Sequence, residues 1–265
     1  MATHKSATIA GVGAAQPAIR NIDRHDLIDV LRKGRDDFFT YPSHLVLLAV
    51  IYPIVGLILA RLTFGYDILP LLFPIISGFA LIGPLAAVGL YEMSKRRERG
   101  GKVSWKVAFD PFRSSSIFSI FALGILQLVI YFAWMGSAFG IYRMTMGSAI
   151  PESIPSFIYD VLTTGAGWTL IIVGCSVGFL FAAVVLTISA ISFPMLVDDH
   201  DVSAMEAVQT SIRAIMANPM TMTAWGFIVA MLLAVGTLPA FVGLAVIMPI
   251  LGHATWHLYR KVVKF

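Results

Sequence analysis

The sequence predicts an all-α polytopic membrane protein with six transmembrane helices and short amphipathic surface helices. Of its 265 residues, 58% are apolar and 13% are charged, against about 25% charged in an ordinary soluble domain. Between residues 214 and 258 the only ionisable side chains are His253 and His257, and between 163 and 197 the only candidate is Cys175. Both runs exceed the roughly 20 residues that cross a bilayer core.

Residues 1–40 are predicted to form a cytoplasmic N-terminal tail that contains one amphipathic helix. After about twenty residues rich in Ala, Gly and Thr, apolar positions recur with helical spacing at Leu27, Leu31, Gly34 and Phe38. Asp23 can cap the start of this helix, and Pro42 marks the change to the next element. Because charged residues occupy the other positions, we expect the helix to lie in the headgroup layer.

Residues 41–259 are predicted to form the six-helix membrane domain, followed by a cytoplasmic basic tail at 260–265. Its apolar segments are 43–62, 68–91, 115–142, 166–195, 221–237 and 240–258. The fifth and sixth are joined by the helix-breaking sequence GTLP. At 17–19 residues each, they either just span the membrane or form a re-entrant hairpin. Both alternatives return the chain to the side from which it came.

The distribution of basic residues predicts the orientation. In a six-span topology Arg61 and Arg143 are the only basic residues on one side, so the other side holds seventeen of the 19 lysines and arginines. Because lysine and arginine accumulate in cytoplasmic loops, we expect both termini in the cytoplasm of a bacterium, with the chain in its inner membrane.

Two segments after the second and fourth apolar stretches repeat the pattern Val-Ser-x-x-x-Ala. They begin at Val103 and Val202, and Ser104 and Ser203 are each placed to cap a short amphipathic helix at the membrane surface. The pattern is also compatible with a parallel duplication of span, surface helix and span.

One group of residues could bind a metal or a haem at the inner-leaflet surface. Imidazole and carboxylate are ligands of first-row divalent metals, and an i, i+4 histidine pair is a common half-site. Haem b held by His44 with either histidine of the last segment is the related alternative. The structural interpretation, which we favour, is that the histidines stabilise a helix C-terminus and the acidic run ends a span. The candidates are His44, Asp198, Asp199, His200, Asp201, His253 and His257.

Several stretches resemble a known family. The segments ISFPMLVDDHDVSAMEAVQTSIRAIMANPMTMTAWG, GLAVIMPILGHATWHLYRKVV and GLYEMSKRRERG are similar to a bacterial integral-membrane family known as domain of unknown function 2189. The resemblance extends from about residue 40 onward. It implies a multi-span inner-membrane protein and supplies no catalytic residues. Some members of the family are labelled as related to a respiratory oxidase subunit, but this sequence lacks the intramembrane histidines that two haems and a copper would require.

The sequence contains no recognisable catalytic motif, and no Lys, Arg, Asp or Glu stands in the middle of a predicted span. We therefore expect a structural or accessory component of a membrane complex rather than an enzyme. A respiratory complex is one alternative for that complex. The alternative is a transporter or channel for a small, weakly charged solute. The expected partners are other subunits or further copies of the chain and anionic lipids, not nucleic acid. The lipids would contact the basic run Lys95, Arg96, Arg97, Arg99 and Lys102.

Overall fold

The structure is a computed structural model, and it describes residues 17–40, 56, 66–148, 151–238 and 243–264. The helices are α1 (Arg24–Thr40), α2 (Leu72–Leu81), α3 (Gly83–Ala86), α4 (Val88–Glu98), α5 (Ile117–Met146), α6 (Ile154–Thr163), α7 (Gly165–Ser189), α8 (Ser192–Asp198), α9 (Ala204–Ala217), α10 (Pro219–Thr237) and α11 (Leu244–Val262). Two 3-10 helices cover Tyr66–Leu71 and Trp105–Arg113, and two short strands are β1 (Ala18–Ile19) and β2 (Val263–Lys264). Apart from residue 56, the first predicted span, 43–62, lies outside the described residues. The all-α prediction is confirmed.

Three helical stretches within the described ranges are long and apolar enough to cross a membrane. They are Ile117–Met146, Gly165–Asp198 and Pro219–Thr237, with mean hydropathies of 2.1, 2.6 and 1.7. They correspond to the third, fourth and fifth apolar segments of the sequence. The fourth is formed by α7 and α8 together.

The second apolar segment, 68–91, is divided in the structure. The chain passes through a 3-10 helix and then α2, α3 and α4, with short breaks at Ile82 and Ala87. Pro84 stands in the first turn of α3, because proline has no N–H for a helical hydrogen bond and is tolerated at a helix start. As a result, α4 begins in apolar sequence and ends in the basic run.

Helix α1 packs lengthwise against α11. Asp23 caps it as predicted, since its Oδ1 accepts hydrogen bonds from the backbone N–H groups of the first helical turn at 2.8 and 3.0 Å. The two helices are antiparallel, and they approach closely at Gly34, where a Cβ would lie 2.6 Å from the carbonyl oxygen of Ile250. The apolar face of α1 is therefore covered by α11, whereas the sequence led us to expect lipid headgroups there.

The two predicted surface helices differ from each other. Ser203 and Glu206 form a capping box at the start of α9, which confirms that cap. Ser104 makes no side-chain cap, so that part of the prediction is wrong. The segment after it is a 3-10 helix containing Pro111, which cannot donate the backbone hydrogen bond that an α-helix needs at that position.

The largest buried core lies where α4, α8 and α11 meet. Its most enclosed large side chains include Tyr91, Phe193, Leu196, Trp256 and Tyr259. Strands β1 and β2 pair antiparallel beside this core, with Ala18 opposite Lys264. Both ends of the described chain therefore lie on the same side of the molecule.

Candidate functional site

A buried polar cluster lies at the contact of three helices. Helix α1 contributes Asp37, α4 contributes Ser94 and Arg97, and α11 contributes His253 and His257. The i, i+4 spacing of the histidines places both rings on the same face of α11. We call these five residues the polar cluster.

Asp37 is the centre of the polar cluster and is only 5% exposed. Its Oδ2 accepts hydrogen bonds from Ser94 Oγ at 2.6 Å and from His257 Nε2 at 2.9 Å, and its Oδ1 accepts one from Arg97. Burial alone raises the pKa of Asp37, but the hydrogen bonds from His257 and Ser94 hold this pKa below its ordinary value. The carboxylate is therefore ionised at neutral pH.

His253 is 2% exposed, and its Nδ1 lies 2.6 Å from Ser94 Oγ. Because ionised Asp37 can only accept, the single hydroxyl proton of Ser94 is donated to Asp37. It follows that His253 Nδ1 carries a proton and donates it to Ser94 Oγ. A second proton on this ring would leave a buried Nε2–H without an acceptor among the described residues. The ring is therefore neutral.

The opposite nitrogen of His253 carries a lone pair. Among the described residues, none forms a hydrogen bond with His253 Nε2. A neutral imidazole whose Nδ1 is fixed by a hydrogen bond resembles the usual histidine ligand of a metal. His257 Nε2, however, is already bonded to Asp37. Across the described ranges, no group of three or more His, Cys, Asp or Glu side chains is placed to hold a metal ion.

A second polar network lies next to the first. Asp198 accepts hydrogen bonds from Arg99 at 2.8 Å, from the Tyr259 hydroxyl at 3.0 Å and from Arg260 at 3.2 Å. Burial and the charge of Asp198 raise the pKa of Tyr259, so its hydroxyl keeps its proton and donates. Glu98 accepts from Arg260 at 3.2 Å and from an indole N–H of α11. This network ties α4, α8 and α11 together.

The structure separates most of the predicted metal candidates. His253 and His257 meet around Asp37, while Asp198 belongs to the second network. Asp199 accepts the backbone N–H of Asp201 in a local turn, and His200 Nδ1 lies 3.2 Å from Ser116 Oγ. His44 lies outside the described residues. The described side chains alone do not form a ligand set, and the metal or haem site stays a prediction.

The sequence did not reveal three members of the polar cluster: Asp37, Ser94 and Arg97. For Asp37 a signal existed, because it lies seven residues after Val30 and three after Gly34, and therefore on the apolar face of α1. An aspartate at such a position requires a buried partner. Ser94 and Arg97 carry no comparable signal in their own segment.

The polar cluster contains serine, histidine and aspartate, but its geometry is not that of a hydrolase. Ser94 is 1% exposed, and it donates directly to the carboxylate rather than through the imidazole. In a catalytic triad the histidine stands between the other two groups and takes the serine proton. The arrangement instead links three helices electrostatically, as a structural clamp.

A helical chain that carries three long apolar helices, with a polar network tying its helix ends together, is an integral membrane protein. Residues 71–198 match the family described as predicted integral membrane protein (DUF2189), the family that the resemblance in the sequence predicted. The histidine-containing C-terminal stretch lies outside the matched range. No curated protein and no solved structure matches the chain.

Proposed function

We propose that this protein is a non-catalytic accessory component of a larger complex in the bacterial inner membrane. The observation that carries the proposal is the outer surface of α5 and α7. Phe118, Phe132, Ile172 and Leu180 are all exposed there, although lipid alone could cover such side chains. The exposed faces also contain glycines. A Cβ on Gly136, Gly140 or Gly174 would meet no described atom within 4 Å.

Glycines on a lipid-facing surface favour contact with another helix. Helices associate in membranes through small residues that let their backbones approach closely, because lipid tails are as apolar as leucine. Small residues four positions apart lie on the same face of a helix, and Gly136 and Gly140 have this spacing in α5. Gly174 provides a further small residue on α7. We infer that a neighbouring subunit or a second copy packs against these glycines.

The proposed topology has six membrane crossings with both termini in the cytoplasm. The antiparallel pairing of Ala18 with Lys264 supports an even number of crossings, since it keeps both ends on one side. The basic residues at the end of α4 and in α11 contact the same polar networks and lie on that side. Reporter fusions at residue 1 and residue 265 should both report the cytoplasm; a periplasmic signal from either would contradict this topology.

Purification from native membranes in mild detergent tests the accessory role. We expect co-purifying subunits or a homo-oligomer, and Gly136→Leu with Gly174→Leu should reduce the recovered partner several-fold. The control is Met144→Leu, because Met144 is also exposed on α5 but already has a large side chain. A monomer without companions from the native membrane would overturn the proposal.

A transporter for a small, weakly charged solute is the second candidate, and Gln127 favours it. This side chain is 1% exposed inside the span Ile117–Met146, and neither its amide nitrogen nor its oxygen has a partner among the described residues. A buried amide without hydrogen bonds costs roughly 1–3 kcal/mol, so a polar solute or water would stabilise it. Gln127→Leu should abolish flux of small neutral solutes into proteoliposomes without unfolding the protein. Unchanged flux would exclude this role for Gln127.

A further inference from the structure

The 3-10 helix Trp105–Arg113 presents three aromatic rings on its outer surface. Trp105, Phe109 and Phe112 are each 45–47% exposed. Trp105 and Phe109 meet edge to face with their centroids 6.1 Å apart, and the centroids of Phe109 and Phe112 are 6.5 Å apart. The three rings therefore form one continuous apolar patch, which we call the aromatic patch.

The back of the same segment is fixed to the protein. Val107 and Ala108 are buried, and Ala108 lies so close to α4 that a Cβ on Gly89 would be 2.8 Å from its carbonyl oxygen. A 2.8 Å ion pair between Arg96 and Asp110 connects the segment to the basic run. The rings are thus held outward on a supported backbone.

Basic residues flank the aromatic patch and are not neutralised within the described ranges. Lys102, Lys106 and Arg113 are exposed, and no carboxylate or hydrogen-bond partner from the described residues meets their charged groups. The other four residues of the basic run differ from Lys102, because each of them is bound within the protein. Arg96 pairs with Asp110, Arg97 with Asp37 and Arg99 with Asp198, while Lys95 donates to the carbonyl of Val197.

The aromatic patch is continuous in sequence with a candidate membrane span. Residues 114–116 connect it directly to α5, and the first turns of that helix carry exposed Phe118 and Phe121. Aromatic side chains concentrate where a membrane meets water, and basic residues there attract anionic lipids. Apolar rings beside unpaired positive charges complement a lipid with an acyl chain and a negative headgroup.

We propose that this segment is an anionic-phospholipid site. Trp105, Phe109 and Phe112 insert at the boundary between headgroups and acyl chains, and the ammonium and guanidinium groups of Lys102, Lys106 and Arg113 bind lipid phosphates along the segment. The lipid contact expected for the whole basic run is thereby assigned to the residues whose charges are not used inside the protein. The proposal does not depend on the accessory role.

The test measures how strongly the full chain prefers an anionic lipid. Detergent-solubilised protein is titrated with dioleoyl phosphatidylglycerol and, separately, with dioleoyl phosphatidylcholine, and bound lipids are counted by native mass spectrometry. We expect the wild type to prefer phosphatidylglycerol, and Lys102→Gln with Lys106→Gln to lower that preference by about five-fold for each charge removed.

A matched control removes the same charge elsewhere. Arg24→Gln with Lys264→Gln changes two exposed basic residues near the termini and should leave the lipid preference unchanged. Phe109→Ser with Phe112→Ser should weaken binding of both lipids. Inorganic phosphate should not displace the lipid, because the site needs the acyl chain as well as the phosphate.

Two results would overturn the proposal. One is an unchanged preference in the double lysine variant, and the other is an equal loss in the control. If the preference is unchanged and a co-purifying protein is lost from the double lysine variant, the patch is a protein-binding surface.

Discussion

The carboxylate of Asp37 and the imidazole of His257 meet at 2.9 Å, although 220 residues separate them in the chain. Their hydrogen bond joins the first described helix to the last. The remaining contacts of Asp37, with Ser94 and Arg97, bring α4 into the same junction. The position of α1 on the molecule is therefore determined by polar groups as well as by its apolar face.

Replacement of Asp37 by asparagine should destabilise the protein. Asn keeps the shape of the side chain but removes the charge that Arg97 and His257 contact, so we expect a loss of about 2–3 kcal/mol in the free energy of unfolding. Titration with sodium dodecyl sulfate in mixed micelles measures this quantity. Asp36→Asn is the control, since within the described residues Asp36 pairs only with exposed Arg35, and the variant should change stability by less than about 0.5 kcal/mol. Equal effects of the two variants would contradict the central role of Asp37.

Stability should fall when the pH is lowered below about 4. The contacts of Asp37, which lies outside the proposed spans, hold its pKa in the folded protein below the value of about 3.9 in an unfolded chain. Between these two values the unfolded chain binds a proton that the folded protein excludes. The contribution of Asp37 to the free energy of unfolding is therefore present above about pH 4 and is lost as the pH falls through its folded pKa.

Asp37→Asn should reduce this loss of stability in acid, because the variant has no carboxylate at position 37 to protonate. Asp36→Asn, which changes an exposed aspartate of the same helix, should leave the pH profile as in the wild type. If the profile of Asp37→Asn matches that of the wild type, another group is responsible.

Gly34→Ala should weaken the contact of α1 with α11. The new methyl group would lie 2.6 Å from the carbonyl oxygen of Ile250 and 2.7 Å from the backbone nitrogen of Ala254. Backbone atoms cannot move aside as a side chain can, so overpacking should exceed the gain in helix propensity and leave a net loss of about 1–2 kcal/mol. Gly165→Ala is the control, because its methyl group would meet no described atom within 4 Å. Thermal unfolding in detergent distinguishes the two variants, and an equally stable Gly34→Ala protein would argue against this packing.

A disulfide should form between Ala18→Cys and Lys264→Cys when Cys175 is replaced by alanine. Directly opposite residues in an antiparallel pair have Cα atoms about 4.5–5.5 Å apart, within the range that a disulfide requires. Mild oxidation should therefore increase the mobility of the monomer in denaturing electrophoresis. The control pairs Ala18→Cys with Ser148→Cys, which follows α5 and lies about 45 Å from the start of that helix. A shift in both double variants would contradict the strand pairing.

Composition and apolar patterning were sufficient to predict the long helices. The predicted segments 115–142, 166–195 and 221–237 became Ile117–Met146, Gly165–Asp198 and Pro219–Thr237. Long uncharged runs are stable as helices in lipid whatever their tertiary neighbours, because each residue satisfies its backbone hydrogen bonds within the same segment. Composition does not predict the effect of a single residue on the backbone. The surface helix expected after Ser104 contains Pro111 and is a 3-10 helix in the structure.

Of the five residues in the polar cluster, only His253 and His257 could be predicted from the sequence. The spacing of His253 and His257 placed them on one face of a helix, and this is what the structure shows. Their partner Asp37 comes from the far end of the chain, and a contact over such a distance has no local pattern in a single sequence. The acidic run at 198–201 was divided for a similar reason, since Asp198 is held by arginines of other helices.

The pairing of β1 with β2 also has a consequence for biosynthesis. A ribosome delivers Ile19 some 240 residues before its partner Val263, so the apolar face of α1 has no counterpart until α11 has been synthesised. A chain that stops before α11 leaves Leu27, Val30 and Phe38 without the helix that covers them. The strand pairing therefore closes only in chains that include both α1 and α11.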